Sequence, residues 1–303
     1  MDTFPSAAPV FSILLATLNR PEEVKGCLGS FLGQSFGDFE VIIADQSRDR
    51  ATENVIRDLG DERFKYMSLG RRGLSYARNE ALGIARGSYI VLADDDAFYE
   101  ADYLENANRL LQDMPDKNRI LSGYIWDTQE KRGFSPYQDK YEGKALPLKL
   151  IMTTCPSAGL ILPSGLFGEI GDGGFDETFG VGAAFGACEE TDLLLSALKW
   201  GYEVIYCPGL RLRHPWPTAE KRTEREAALG KLESYSAGLG ALYGKHLFGR
   251  GEIELLPLFM DKLLKLILKR LLIFKFDPEE SAHLLRGFIR GLRHEDISGN
   301  TGI

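Results

Sequence analysis

Three consecutive aspartates, Asp94, Asp95 and Asp96, follow an apolar run that is typical of a buried β-strand. Side chains alternate along a strand, so Asp94 and Asp96 are predicted to face one side of the chain and Asp95 the other. Paired carboxylates repel each other unless they share a cation, and Mg²⁺ and Mn²⁺ accept such oxygen ligands together with substrate phosphates. Taken alone, the triplet fits a divalent-metal site and an acidic turn that caps the next helix equally well.

Two other polar residues are suited to a nucleotide ligand. Asp45 ends another apolar strand, where its carboxylate is placed to accept the N–H of a pyrimidine base; taken alone, it is better explained as a turn-forming aspartate. Arg78 stands four residues from both Leu74 and Leu82 in a predicted helix. A guanidinium on such an apolar face requires an anionic partner, and either a carboxylate or a phosphate would serve.

A third group of chemically active residues lies further along the chain. Glu189, Glu190 and Asp192 begin a leucine-rich helix, and the helix dipole accounts for at least one of them. A carboxylate at a helix start that faces a cleft is suited to take a proton from an attacking hydroxyl, as a general base does. His214 stands alone, and a lone histidine is more often a hydrogen-bonded structural residue than a metal ligand.

The elements that must position these residues alternate between strand and helix over the first 125 residues. Continuous apolar strands separated by helices indicate a parallel sheet covered on both faces. In such sheets ligands bind at the carboxyl ends of the strands, where the segment 17–20, Asp45 and the aspartate triplet are predicted to meet. Strands are predicted at 10–16, 40–44, 64–68, 88–93, 120–126, 159–162 and 203–207, and helices at 21–32, 51–59, 74–86, 189–199 and from 223 onward.

Charge, cysteines and motifs exclude several classes of protein. The formal net charge of −8 argues against a nucleic-acid partner, which requires clustered lysines and arginines. The 4 cysteines are far apart, so neither a zinc knuckle nor a disulfide framework is predicted and a reducing compartment fits best. No G-x-G-x-x-G or G-K-[ST] motif follows a strand, which argues against dehydrogenases and P-loop proteins. Without a signal segment or a long uncharged apolar run, the protein is predicted to be cytoplasmic.

The segment 255–276 predicts a basic amphipathic helix. Asp261, Lys262, Lys265 and Lys269 lie near one face, and leucine, isoleucine and phenylalanine occupy the rest. Such a helix lies in a membrane interface, or packs against its own domain or a second copy of the chain as a homodimer. Both interpretations stay open at this stage; the first predicts peripheral contact with the inner face of the cell membrane.

Six features in order resemble family 2 inverting glycosyltransferases of the GT-A fold. The resemblance covers residues 10 to 215 and is carried by ILLATLNR (13–20), VIIADQSRD (41–49), GLSYARNEALGIARGSYIVLADDDA (73–97), GGFDETF (173–179), EETDLLL (189–195) and His214. It implies an α/β fold with a mainly parallel central sheet flanked by helices and a C-terminal helical extension. It also implies a catalytic domain at 1–222, with a nucleotide-binding half at 8–125 and an acceptor-binding half at 126–222, and a helical region at 223–303.

The resemblance implies an activity and a role for each matching residue. The activity is transfer of a sugar, with inversion, from a nucleotide-diphospho-sugar, most often a UDP-sugar, to a hydroxyl of a saccharide or a lipid-linked saccharide. Mn²⁺ or Mg²⁺ would be the cofactor, and Glu190, with Glu189 and Asp192 beside it, would supply the base. The implied nucleotide-sugar contacts are Thr17, Asn19, Arg20, Asp45, Arg78, Asp94 and Asp95, and the implied metal ligands are Asp94, Asp96 and His214.

Two other functions remain open from the sequence. A sugar nucleotidylyltransferase also pairs carboxylates with Mg²⁺ on a similar sheet, although it requires a glycine-rich basic loop after the first strand, where this chain has ATLNRPEE. A catalytically degenerate module that only binds nucleotide sugars is the second. Two residues keep this second alternative open: Ala93, where the family's commonest motif has its first aspartate, and Glu190, where the family has an aspartate as the base.

Overall fold

A mixed β-sheet with helices around it forms most of the computed structural model of the protein. The structure describes residues 8–114, 118–128, 131–133, 138–170, 173–215, 225–271 and 277–293. The predicted domain boundary at 222/223 and the last five residues of the predicted amphipathic segment, 272–276, lie outside these described residues.

Among the described residues, nine strands form one sheet in the order β3-β2-β1-β4-β8-β6-β9-β5, with β7 paired to β6. The strands β1 to β4 pair in parallel, as predicted. Beyond them the sheet is mixed, because β8 runs antiparallel to both β4 and β6. The strands are β1 (Phe11–Thr17), β2 (Phe39–Asp45), β3 (Phe64–Ser68), β4 (Tyr89–Asp94), β5 (Phe98–Tyr99), β6 (Arg119–Asp127), β7 (Arg132–Gly133), β8 (Leu160–Pro163) and β9 (Glu203–His214).

The helices follow the apolar periodicity of the sequence. In α1, Pro21 occupies the first turn and Val24, Cys27, Leu28 and Phe31 form the buried face at helical spacing. The α-helices are α1 (Pro21–Leu32), α2 (Ala51–Leu59), α3 (Leu74–Leu82), α4 (Tyr103–Asp113), α5 (Gln138–Tyr141), α6 (Leu148–Thr154), α7 (Leu166–Glu169), α8 (Glu189–Lys199), α9 (Arg225–Tyr243), α10 (Leu256–Leu271) and α11 (Pro278–Leu292). The predicted α/β fold with a C-terminal helical region is confirmed.

Several predicted strands are shifted by one residue at their ends, and two element boundaries differ from the prediction by four residues or more. The helix expected at 74–86 ends at Leu82, because Gly83 follows and glycine is a poor helix former. The strand expected at 203–207 continues as β9 to His214, although Pro208 and Gly209 would normally end it. A register shift opposite Gly123 and Tyr124 absorbs the extra residues, so the ladder resumes at Arg211.

The described residues form two compact units. The first comprises 8–72, 76–174 and 196–215 and contains the whole sheet. The second comprises 73–75, 175–195 and 225–293, and in it α9 and α11 pack closely against each other. None of the described helices is both long enough and apolar enough to cross a lipid bilayer.

Candidate functional site

The carboxyl ends of three neighbouring strands meet at one edge of the sheet in the first unit. In the strand register, Thr17 at the end of β1 pairs with Asp45 at the end of β2, and Ala16 pairs with Asp94 at the end of β4. These strands end within one residue of one another, because they run in the same direction from paired starts and are 7, 7 and 6 residues long. The segment 17–20, Asp45 and the triplet therefore lie at the same edge, where parallel sheets bind ligands.

The carboxylates of the triplet are held by Arg20 and Thr17. The two terminal nitrogens of Arg20 lie 2.6 Å from Asp95 Oδ1 and 2.6 Å from Asp96 Oδ2, and the Thr17 hydroxyl donates to Asp95 Oδ2 at 2.7 Å. A forked guanidinium bridging two carboxylates offsets part of their mutual repulsion. Asp94 and Asp96 both contact His214 whereas Asp95 accepts from Thr17, as predicted. The reason is not strand alternation, because β4 ends at Asp94 and the next two residues form a turn.

Asp94 is held from the other side by Arg78 and Ser157. Arg78 is fully buried, and its Nη2 lies 3.3 Å from Asp94 Oδ1, which also accepts from the Ser157 hydroxyl at 3.2 Å. A buried guanidinium requires a charged partner. Asp94 is such a partner, and a carboxylate is one of the two kinds of anion predicted for Arg78. Burial raises the pKa of Asp94, but the hydrogen bond with His214 and the charge of Arg78 bring it below its ordinary value.

His214, at the end of β9, faces the two outer carboxylates of the triplet. Its Nε2 lies 3.0 Å from Asp96 Oδ1 and 3.5 Å from Asp94 Oδ2. Burial lowers the pKa of His214, but its bonds to these two carboxylates outweigh burial and raise the pKa to about 10. Burial also opposes ionisation of Asp96, yet His214 and Arg20 hold its pKa well below the usual range. In Asp95, burial prevails over the charge of Arg20 and raises the pKa to about 6.

In the structure these groups form an ion-pair cluster. Within the described parts of the chain, no group of three or more His, Cys, Asp or Glu side chains is arranged to hold a metal ion. The donor types nevertheless fit a divalent cation: Asp94 Oδ2, Asp96 Oδ1 and His214 Nε2 face one another, and carboxylates suit Mg²⁺ and Mn²⁺. His214 would have to lose its proton to become a ligand.

Asp45 and Asn19 shape the loops beside the triplet. The fully buried Asp45 carboxylate accepts the backbone N–H of Ser47 at 2.9 Å and the Tyr66 hydroxyl at 3.2 Å. Asn19 adopts a left-handed φ of 56° and its N–H donates to the Ser47 hydroxyl at 2.7 Å. Asp45 therefore forms the turn that the sequence allowed, and base recognition by this residue stays a prediction.

The acidic cluster at the start of α8 belongs to the second unit. Asp192 is buried, and its two oxygens lie 2.8 Å from Lys245 Nζ and 2.8 Å from His246 Nε2. His246 is fully buried and also contacts Glu252, and Lys245 also contacts Asp176. Glu189 is buried as well, whereas Glu190 is only partly buried. Asp192 thus anchors the helix start, and Glu190 is the most solvent-accessible carboxylate of the three.

Sequence reasoning missed four polar residues that hold the predicted ones. Ser157 and Tyr66 contact Asp94 and Asp45, and Lys245 and His246 contact Asp192. Each is separated from its partner by 21 or more residues, and none lies in a motif. The sequence signal for the last two is a histidine next to a lysine within an otherwise apolar segment.

A cleft of about 510 Å³ borders the triplet on the side of α1. Asp96 forms part of its wall, and Asp45 and Thr17 are not among the described residues that line it. Its lining consists of Glu22, Glu23, Gly26, Asp96, Phe98, Thr128, Arg213 and Pro215.

Solved structures define the class of fold. S. aureus TarS 1–349 in complex with UDP-GlcNAc has a TM-score of 0.57 and 16% sequence identity, covering 93% of this chain and 90% of that one. The mannosyltransferase PcManGT from Pyrobaculum calidifontis, in complex with GDP-Man and Mn²⁺, has a TM-score of 0.57 and 16% identity, covering 96% of this chain and 89% of that one. At this identity the likeness concerns the fold, which is the GT-A fold.

Sequence comparison assigns the chain within that class. Residues 12–161 match the model of the family described as glycosyl transferase family 2. EpsH of Bacillus subtilis, named as a glycosyltransferase, is 31% identical over 110 residues, which is 36% of this chain and 32% of EpsH. The chain belongs to glycosyl transferase family 2, and it matches about a third of the length of this curated relative.

Proposed function

We propose that the protein transfers a sugar from a nucleotide-diphospho-sugar to a hydroxyl of a saccharide or lipid-linked saccharide, with inversion and with a divalent cation. One observation carries the proposal: Thr17, Arg20, Arg78 and the aspartate triplet come together at the ligand-binding edge of the sheet of a family 2 chain. Family membership supports the reaction class, and the two nucleotide-sugar complexes of the same fold support the donor class.

The donor is proposed to bind along the strand ends. Arg20 and Arg78, which already pair with the triplet, would share their positive charge with a diphosphate, since guanidinium groups bind both kinds of anion with forked hydrogen bonds. Asp45 would accept the imide N–H of a uracil base, which makes a UDP-sugar the favoured donor. TarS is described with UDP-GlcNAc and PcManGT with GDP-Man, so both base types are to be compared.

Asp94, Asp96 and His214 would hold Mn²⁺ or Mg²⁺. A bound cation would neutralise the negative charge that develops on the departing diphosphate, alongside the arginines.

The transfer itself is proposed to proceed without a covalent intermediate. The acceptor hydroxyl oxygen forms a bond to the anomeric carbon as the bond to the diphosphate oxygen breaks. The hydroxyl proton passes to Glu190, which is proposed as the base because it is less buried than Glu189 and Asp192.

Release of nucleoside diphosphate tests this function. UDP-, GDP- and dTDP-sugars are incubated with the protein, with Mn²⁺ or with EDTA, and the released nucleoside diphosphate is measured. We expect release with one donor class, abolished by EDTA and lowered about a hundredfold or more by Asp96→Asn. Asp102→Asn, at an exposed position after the triplet, is the matched control and should leave release unchanged.

Three outcomes would contradict the proposal. Equal release in EDTA would rule out the cation requirement. Donor binding without any release, in the presence of saccharide acceptors, would favour the degenerate binding module. Formation of pyrophosphate from a nucleoside triphosphate and a sugar phosphate would favour the nucleotidylyltransferase.

A further inference from the structure

The helix α10 presents two apolar faces, of which only one is buried. Phe259 and Leu266 are 8% and 3% exposed and face the interior of the second unit. A separate arc of the same helix points outward, and its members are between 41% and 66% exposed. These outward residues are Leu256, Met260, Leu264, Ile267, Leu268 and Leu271. Their spacing of three and four residues makes them one continuous stripe along the helix.

Lysines lie along one margin of this outward stripe. Lys265 is 64% exposed at its side chain, whereas Lys262, three residues before it, and Lys269, four residues after it, are partly buried. The pKa of Lys262 is lowered, mainly by burial and then by the positive charge of Lys269, with a smaller effect of Lys265. The three lysines are therefore close enough to affect one another. Asp261, paired with Lys265 at 2.7 Å, is the only acidic residue of α10. This margin is therefore positive on a chain with a net charge of −8.

The buried face of α10 already accounts for packing against its own unit, so the outward stripe needs a different partner. A second copy of the chain is a poor match. A two-fold interface places the same surface on both sides, and α10 offers its own lysines no acidic partner other than Asp261. An anionic lipid surface has the opposite charge and accepts apolar side chains at the same time.

We propose that α10 lies in the interface of an anionic membrane, with its outward stripe inserted among the acyl chains and its lysines against the phosphate headgroups. A helix of 16 residues is about 24 Å long, enough for four turns of apolar contact in the membrane plane. This inference is independent of the proposed transfer reaction.

Vesicle flotation with the full chain tests the proposal. The protein is mixed with vesicles of phosphatidylcholine alone, or of phosphatidylcholine with one-third phosphatidylglycerol, and the floated fraction is measured at low and high salt. We expect flotation with the anionic vesicles only, weakened by salt. Leu264→Asp should abolish it, and Lys265→Glu should weaken the apparent affinity about tenfold.

Matched variants keep the interpretation specific. Ile84→Asp and Lys25→Glu change an exposed apolar residue and an exposed lysine of the first unit, and should float as the unchanged protein does. Met260→Ser, also on the stripe and 53% exposed, serves as a milder change should Leu264→Asp unfold the helix, and circular dichroism checks folding of every variant. Absence of flotation would overturn the proposal, as would flotation insensitive to both stripe variants. A concentration-dependent dimer that Leu264→Asp dissociates, without flotation, would assign the stripe to self-association instead.

Discussion

At the scale of the residue, the position of a carboxylate along its strand separates groups that hold the sheet together from groups proposed to act on a ligand. Glu40 lies near the start of β2, where it accepts from the Ser12 hydroxyl at 2.6 Å and from the Arg86 backbone N–H at 2.8 Å, and pairs with Lys65. It is 2% exposed. The triplet, in contrast, lies at the strand ends, and its carboxylates are held mainly by arginines and a histidine. The first arrangement connects a loop to the sheet, and the second keeps negative charge at the strand ends, where the donor is proposed to bind.

Replacing Glu40 by glutamine should weaken the fold in a pH-dependent way. Burial raises the pKa of Glu40, but its bonds from Lys65, Ser12 and Arg86 bring it below the ordinary value of 4.5. Because the folded-state pKa is lowered, the stabilisation is present above pH 4.5 and is lost as the pH falls through the folded-state value. We expect Glu40→Gln to lower the free energy of unfolding by about 1–3 kcal/mol at pH 7, and by less at lower pH.

Urea unfolding at pH 7 and at a series of acidic pH values measures this difference. Glu53→Gln, which removes a surface ion pair with Arg50, is the control and should change the unfolding free energy little at either end of the series. A Glu40→Gln difference that stays constant or grows as the pH falls would show that the charge of Glu40 is not what stabilises the sheet.

Substitutions of Glu190 and Asp192 in α8 should have different effects, the first on catalysis and the second on stability. Glu190→Gln should lower kcat about a hundredfold or more while donor binding and thermal stability stay unchanged, because a base acts only in the chemical step. Asp192→Asn should instead lower the melting temperature, because it weakens the bonds to Lys245 and His246. Single-turnover transfer, nucleotide-sugar binding and calorimetry make the comparison. Loss of kcat in Asp192→Asn at unchanged stability would make Asp192 the better base candidate.

At the scale of the element, the sequence predicted what local patterns encode. The bounds of α1 and α8 were predicted to the residue, because Pro21 marks one start and an acidic first turn marks the other. The extension of β9 was missed, since Pro208 and Gly209 locally resemble a strand end and the strand continues only because it pairs with β6 and β5. This extension is what places His214 opposite the triplet, so its contacts could not be derived from spacing.

The contact between α9 and α11 depends on glycine in a way that mutation can test. A Cβ atom added to Gly291 would lie 2.0 Å from the carbonyl oxygen of Ala237, so the two backbones are too close for any side chain there. We expect Gly291→Ala to lower the free energy of unfolding by about 1–3 kcal/mol, because the helices must move apart.

Gly230→Ala, on α9, is the control, and it should change the free energy of unfolding in the opposite direction. A Cβ atom there meets nothing within 4 Å, so alanine should stabilise the helix by roughly 1 kcal/mol. Chemical denaturation of both variants provides the comparison. Equal effects at the two positions would show that the close backbone approach does not limit the packing of these helices.

At the scale of the whole molecule, each of the two units consists of segments that are distant from one another in the chain. The strands all belong to the first unit, and so do the described residues proposed to bind the donor and the cation. The segment 175–195, with the proposed base, belongs to the second unit together with 225–293. The sequence motifs did not predict this unit, because they group neighbouring residues. The buried pair of Asp192 and His246 connects residues that are 54 apart in the chain.

A chain that ends at residue 222, the predicted domain boundary, should therefore separate donor binding from transfer. The first unit keeps its strands and should still be stabilised by nucleotide sugar with Mn²⁺ in a thermal-shift assay. The start of α8 loses Lys245 and His246, and Ala187 loses its close contact with Gly238, so this segment should lose its order. Hydrogen exchange should show protected amides in β1, β2 and β4 and fast exchange in the first turn of α8.

Sugar transfer should be lost in this truncated chain, because the proposed base no longer has a fixed position. A chain that ends at residue 293 keeps every described residue and is the matched control, expected to transfer sugar at the rate of the full chain. Protected α8 amides together with full transfer in the chain ending at 222 would mean that 175–195 folds without its C-terminal partners. Lack of nucleotide-sugar stabilisation in that chain, with β1, β2 and β4 still protected, would mean that donor binding also requires the second unit.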